Sequence, residues 1–235
     1  MALVGLNKDE LDLSRLPADA QYDPKRDDNL SGVQLRATLT FKITDANGTV
    51  IKEWTEPAHS LNLMFARFMY ALWGATSAQL ADTSGNEINI NGASGGTSSI
   101  DAPSGNDTYG IVIGSGATAG STPSPTILTL IAQIPQGTSS GQIEYGAVSL
   151  TAASVSGQTT SFTISRSFAN VSGTTLTVTE IGIITNLTGW AMTNVSTNSA
   201  VTSGYFLIAY DIPSSAISVA NGQTLTITYT FSVTT

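Results

Sequence analysis

Gly222-Gln223-Thr224-Leu225-Thr226-Ile227-Thr228-Tyr229-Thr230-Phe231-Ser232-Val233-Thr234-Thr235 decides how the rest of the chain is read. Leu225, Ile227, Tyr229, Phe231 and Val233 fall on one parity, and the residues between them are Thr or Ser. Side chains alternate faces along a strand, so this is a strand with one buried and one wet face. A helix would scatter the same residues around its axis. Asn221-Gly222 supplies the turn that opens the strand. A segment of this kind is expected to be stitched into a sheet.

Working outward, the same pattern recurs. Residues 33–44 alternate, with Val33, Leu35, Ala37, Leu39, Phe41 and Ile43 inward. Asp45-Ala46-Asn47-Gly48 then turns the chain back into residues 49–56, with Val50 and Trp54 as core candidates. Further strands are expected at 109–113, 142–152, 159–170, 175–185 and 204–211. In 175–185 the apolar phase slips between Val178 and Ile181, which predicts a bulge near Glu180. Residues 126–134 fit a strand and a helix equally well. Strands at this spacing predict an all-β fold, an antiparallel β-sandwich or jelly-roll-like domain over residues 32–235.

One helix interrupts the pattern. Leu61, Met64, Phe65, Phe68, Met69 and Leu72 recur at helical spacing, which predicts a packed amphipathic helix over 60–75. Ser60 is its expected cap and Gly74 its expected stop. Residues 76–108 read as a long polar loop with one short strand at 87–91. Residues 1–31 are charge-dense and poor in apolar residues, so they read as an extended N-terminal arm that orders on a neighbouring subunit, with a disordered tail as the alternative. Leu11, Leu13 and Leu16 form its apolar anchor, and Lys25 and Arg26 its basic contacts.

Composition excludes several function classes. The chain has 235 residues, enough for a substantial core. It has 0 Cys, so no disulfide, thiolate metal site or Cys nucleophile exists. Charged residues make up only 11% and the net charge is −8, which argues against nucleic acid as a partner. No apolar run reaches the roughly 20 residues of a membrane-spanning helix. No secretory leader is expected from Met1-Ala2-Leu3-Val4-Gly5-Leu6-Asn7-Lys8. The composition resembles that of an exported surface protein, although no export signal is expected. A virion protein, assembled in the host cytoplasm and exposed later, reconciles the two.

The chemistry-bearing residues are few. His59 is the 1 histidine and has no nucleophile elbow around it. Catalytic residues, cofactors and metal sites are therefore expected to be absent. Asp82, Asn86, Glu87, Asn89, Asn91, Asp101 and Asp107 are suitable Ca²⁺ ligands by type, but no EF-hand spacing joins them. Arg166 and Glu180 both interrupt apolar alternation; a buried or half-buried ion pair and two ordinary exposed charges remain equal alternatives. Trp190, in Thr188-Gly189-Trp190, reads as an exposed loop aromatic able to stack on a sugar.

Several motifs resemble a known group of proteins. They are Tyr109-Gly110-Ile111-Val112-Ile113-Gly114-Ser115-Gly116, Pro123-Ser124-Pro125, Phe162-Thr163-Ile164-Ser165-Arg166-Ser167-Phe168, Val178-Thr179-Glu180-Ile181-Gly182 and Tyr205-Phe206-Leu207-Ile208-Ala209-Tyr210-Asp211. With Asn221-Gly222-Gln223 and the last strand, their order is similar to that in structural virion proteins of tailed phages and archaeal tailed viruses. Ala209 departs from the group, which often carries Arg near the Asp. The resemblance implies a non-enzymatic virion component, capsid-decorating, minor capsid or tail-associated. Its partners would be further copies of itself, as a homo-oligomer, and other virion proteins. A carbohydrate-binding or adhesin module is the alternative.

Overall fold

The computed structural model describes residues 34–58, 61–74 and 77–234. The arm at 1–31, with Leu11, Leu13, Leu16, Lys25 and Arg26, lies outside the described residues, as do His59 and Ser60.

The opening stretch forms β14 (Thr224–Thr234), and it sits inside a sheet. On one side it pairs antiparallel with β1 (Gln34–Thr44), on the other with β9 (Thr159–Ala169). β2 (Val50–Pro57) extends the sheet beyond β1. β7 (Glu144–Leu150) and β8 (Ser154–Ser156) share the far edge of β9. The parity read from sequence holds along β14: Leu225, Ile227 and Tyr229 are fully buried, while the Thr residues between them are half exposed.

The second sheet is built on β11 (Glu180–Asn194). One edge of β11 is covered by β12 (Ser199–Asp211). The other is covered in succession by β6 (Gly110–Gly114), β5 (Thr97–Ser99) and β4 (Glu87–Asn91). β3 (Ala78–Ala81) pairs with β4. A two-stranded ribbon, β10 (Leu176–Val178) with β13 (Ile217–Val219), completes the strands. Leu39, Phe41, Ile164, Phe168, Ile227 and Tyr229 of the first sheet share one core with Ile111, Ile113, Ile181, Ile183 and Leu207 of the second. The architecture is an all-β antiparallel sandwich with one helix.

That helix is α1 (Leu63–Leu72), shorter than the predicted 60–75. Asn62 caps it, its side chain accepting from the Phe65 N–H at 3.1 Å. The Asn62 amide also donates to the Leu207 carbonyl at 2.7 Å, which ties the helix start to β12. Gly74, at φ 88°, closes the helix with its N–H on the Ala71 carbonyl, as its position predicts. Met64, Phe68 and Ala71 pack on Leu80, Ile88, Ile90, Leu187 and Phe206 in a second core.

Several expectations need correction. The region 76–108 is not one loop with a single strand: β3, β4 and β5 all lie in it. β3, Ala-Gln-Leu-Ala, buries only two small patches, Ala78 and Leu80, too little to stand out in sequence. Residues 126–134 are neither strand nor helix, though Leu130 and Ile134 are buried. The phase slip before Ile181 is not a bulge. The chain leaves the β10–β13 ribbon at Val178 and enters the second sheet at Glu180, so the inward parity resets between sheets. The register irregularities lie further on, between Ile183 and Ile184 and between Thr188 and Met192. Val50 is exposed because the β1–β2 register shifts between Ile43 and Thr44, whereas Trp54 stacks on Phe41 at 5.0 Å.

Candidate functional site

Arg166 points inward from β9 and is 1% exposed. Its Nε donates to the Gly146 carbonyl at 2.8 Å. Nη1 donates to the carbonyls of Tyr109 and Ile111 at 3.1 and 2.9 Å. Nη2 donates to Pro103 at 3.3 Å and to Asn106. All five guanidinium donors thus end on backbone carbonyls, and the group lies over the Tyr145 ring at 4.8 Å. Burial lowers its pKa to about 10, so it stays charged at neutral pH. Arg166 holds the irregular segment 103–109 and the start of β6 against β9 and β7.

Glu180 is the mirror case. Its side chain is fully buried at the start of β11. Oε1 accepts the N–H groups of Gly116 and Ala132 at 2.9 and 2.7 Å. Oε2 accepts the Ile131 N–H at 2.8 Å and the Tyr210 hydroxyl at 2.9 Å. The carboxylate is thereby a staple that fastens residues 116–132 to the second sheet. Arg166 and Glu180 do not form the ion pair considered from sequence. β9 and β11 belong to different sheets, and each charge is spent on its own loop. Both are buried, so the exposed-charge alternative fails as well.

Most of the other buried polar groups are likewise used within the fold, the exceptions being Thr179 Oγ1 and Asn186 Oδ1, which are buried without a hydrogen-bond partner. The Tyr229 hydroxyl, in the first sheet, donates to Asp211 Oδ2 in the second at 2.8 Å. Tyr145 donates to the Ile134 carbonyl at 2.7 Å. Burial raises the pKa of Tyr145, Tyr210 and Tyr229 above the ordinary phenol value. Asn170, fully buried, donates to the Thr174 and Val219 carbonyls at 2.8 Å each and accepts from Ser172. That use of its amide makes the Asn170-Val171-Ser172 sequon unavailable to a glycan.

Trp190 is corrected too. It lies within β11, 8% exposed, packed flat on Gly96, and its Nε1 donates to the Thr97 carbonyl at 3.1 Å. Gly189, at φ 74°, falls where the β11–β12 pairing is interrupted and turns the indole inward. The acidic and amide residues named as Ca²⁺ ligands by type are dispersed. Asp82 caps the β3–β4 turn through the Ser84 and Asn86 N–H groups, and Glu87 bonds Gln79. Among the described residues no three His, Cys, Asp or Glu side chains converge on a metal position. A shallow cleft of about 270 Å³ is lined by Asp107, Thr108, Thr129, Gln133 and Tyr205. Two of its polar groups are already engaged: Gln133 donates to the Asp107 carbonyl, and Asp107 accepts the Gln136 N–H.

Apolar side chains are exposed at several points of the described residues, and in two places they form a group. The first is the end of the first sheet. Along its inward face burial fades in step on three strands. On β1 it falls from Leu39 at 1% exposed to Leu35 at 55%; on β9 from Ile164 at 3% to Phe162 at 38%. On β14 it falls from Tyr229, fully buried, through Phe231 at 9% to a half-exposed Val233. Leu35 opposes Val233, Val233 opposes Thr160, and Thr160 opposes Val155, which is 73% exposed. Phe162 stacks on Phe231 at 5.2 Å. The core face therefore runs out past its cover. The second place is α1, whose Leu63, Tyr70, Leu72 and Trp73 are exposed at 38, 61, 43 and 82%.

The class defined by the described residues is an antiparallel β-sandwich in which Arg166 and Glu180 serve the architecture. No protein family, curated protein or solved structure matches the chain. No helix of the described residues is long and apolar enough to cross a membrane.

Proposed function

We propose that this chain is a non-enzymatic structural subunit of a virion, of the capsid-decorating, minor capsid or tail-associated kind. It assembles with further copies of itself and with other virion proteins. The virion assignment rests on the ordered motifs of the sequence and on their resemblance to proteins of tailed viruses. The assembly rests on one observation, the uncovered end of the first sheet around Leu35, Val155 and Phe162. An apolar patch that continues the core face and stays open is the surface a neighbour covers. The buried ionisable groups support the non-enzymatic part, since Arg166 and Glu180 have their hydrogen bonds filled by backbone and Tyr partners. The carbohydrate-binding alternative drew on an exposed Trp190 and loses that support with its burial.

The test is the double variant Leu35→Asp, Phe162→Asp. Both side chains are in contact with solvent, but Phe162 also stacks on Phe231, so Leu35→Asp alone is the second variant, to be read where the pair loses the circular dichroism of a β protein. The subunit mass in light scattering should fall by at least one association step. An unchanged mass with an unchanged fold would refute the use of this face in assembly.

A further inference from the structure

Apart from Arg67, α1 carries apolar residues around its circumference. At 100° per residue, Met64, Phe68 and Ala71 form the buried side, and Leu63, Ala66, Tyr70 and Trp73 form the opposite one. Phe65 and Met69, between the two sides, are half buried. A helix apolar all round belongs inside a larger body, yet this one is covered on one side only. Arg67 is the one charge in Leu63–Leu72.

Resting on the assembly proposed above, we infer that the outward side of α1 receives residues 9–16 of a second copy. The sequence there is Asp9-Glu10-Leu11-Asp12-Leu13-Ser14-Arg15-Leu16. Three leucines match the apolar character of Leu63, Tyr70 and Trp73, and Asp9, Glu10 and Asp12 against the single Arg15 leave the segment net acidic opposite Arg67. Charge adds selectivity here: in a chain of net charge −8, a cationic apolar surface draws an acidic apolar segment.

Length and exit point also agree. The chain between residues 16 and 34 reaches at most about 60 Å when extended. Strand β1 begins at Gln34, beside Leu35 on the uncovered sheet end. The start of α1 is tied close to the same end, because the Ala58 N–H donates to the Ala37 carbonyl and Pro57 pairs with Thr38. When two copies meet through that end, each arm leaves from the contact with its neighbour's α1 within reach. Exchanged arms of this kind suit a closed symmetric assembly.

The native chain has 0 Cys, so single cysteines can be read without background. Full-length Leu13→Cys and Tyr70→Cys proteins, carrying different tags, are mixed under mild oxidation. A mixed disulfide dimer is expected at about tenfold or more above a Leu13→Cys and Thr197→Cys control pair, as a raised effective concentration requires. Mixed linkage at the control level overturns the proposal. So does a Leu13→Cys, Tyr70→Cys double variant that closes within one chain in preference to linking two, since the arm would then cover its own helix. Light scattering of the same samples separates the two readings. An oligomer without the mixed link defeats the arm alone, whereas a monomer defeats assembly as well.

Discussion

Arg166 and Glu180 are charges whose direct hydrogen bonds run to backbone groups and a phenol. An isolated buried ion costs several kcal/mol, and convergent carbonyls or amides replace the lost water. Sequence marked both positions correctly as breaks in an apolar face. It could not tell that they lie in different sheets, because parity carries no information on sheet membership. Trp190 was misjudged for a related reason: the Gly189 beside it signals a loop, yet the glycine sits inside β11 and turns the ring inward. The buried phenols give a pH prediction. Tyr145, Tyr210 and Tyr229 titrate above the unfolded value of 10.0, so the folded state holds more protons than the unfolded above that pH. Their stabilisation is complete below pH 10 and is lost as pH rises further. Arg166 acts in the opposite sense, because its pKa is lowered from 12.5 to about 10, but it is one group against three. Denaturant midpoints should fall steadily above pH 10. In a tyrosinate absorbance titration these phenols should ionise only together with loss of the near-ultraviolet dichroism.

Among the elements, the strands with strict alternation were legible, and so was the position of the helix. β1, β9 and β14 need only parity, and their turns carry their own signals, such as Asp45 accepting the Asn47 and Thr49 N–H groups. β3 and β5 were illegible because short Ala, Ser and Thr strands bury little. The second half of β11 and the first half of β12 were missed because polar residues and Gly189 mask a hairpin that stands half outside the core. For α1 the stripe was read too broadly, since apolar residues lie around the helix and the sequence does not say which side the sheet takes. This yields a contrast within one helix. Phe68→Ala opens a cavity under α1 and should cost about 3–5 kcal/mol. Trp73→Ser, on the exposed side, should change monomer stability by less than about 0.5 kcal/mol. Chemical denaturation of both variants checks the pair, and equal losses would show that the outward side is covered within the chain.

At the scale of the whole molecule, the sandwich uses Arg166 and Glu180 to fasten long loops and leaves apolar surface open at the end of the first sheet and on α1. The inward parity of Leu35 was readable from sequence. Its exposure was not, because exposure depends on where the opposite sheet stops. The same limit hid Tyr70 and Trp73, although their spacing from Leu63 on the helix carried the signal. The central claim is that these surfaces are covered by other copies. The most direct measurement is the mass of the full chain by light scattering across serial dilution. A mass that is a whole multiple of 24.3 kDa at high concentration, falling toward one subunit on dilution or on Leu35→Asp, is the predicted result. A mass of 24.3 kDa at every concentration would contradict it.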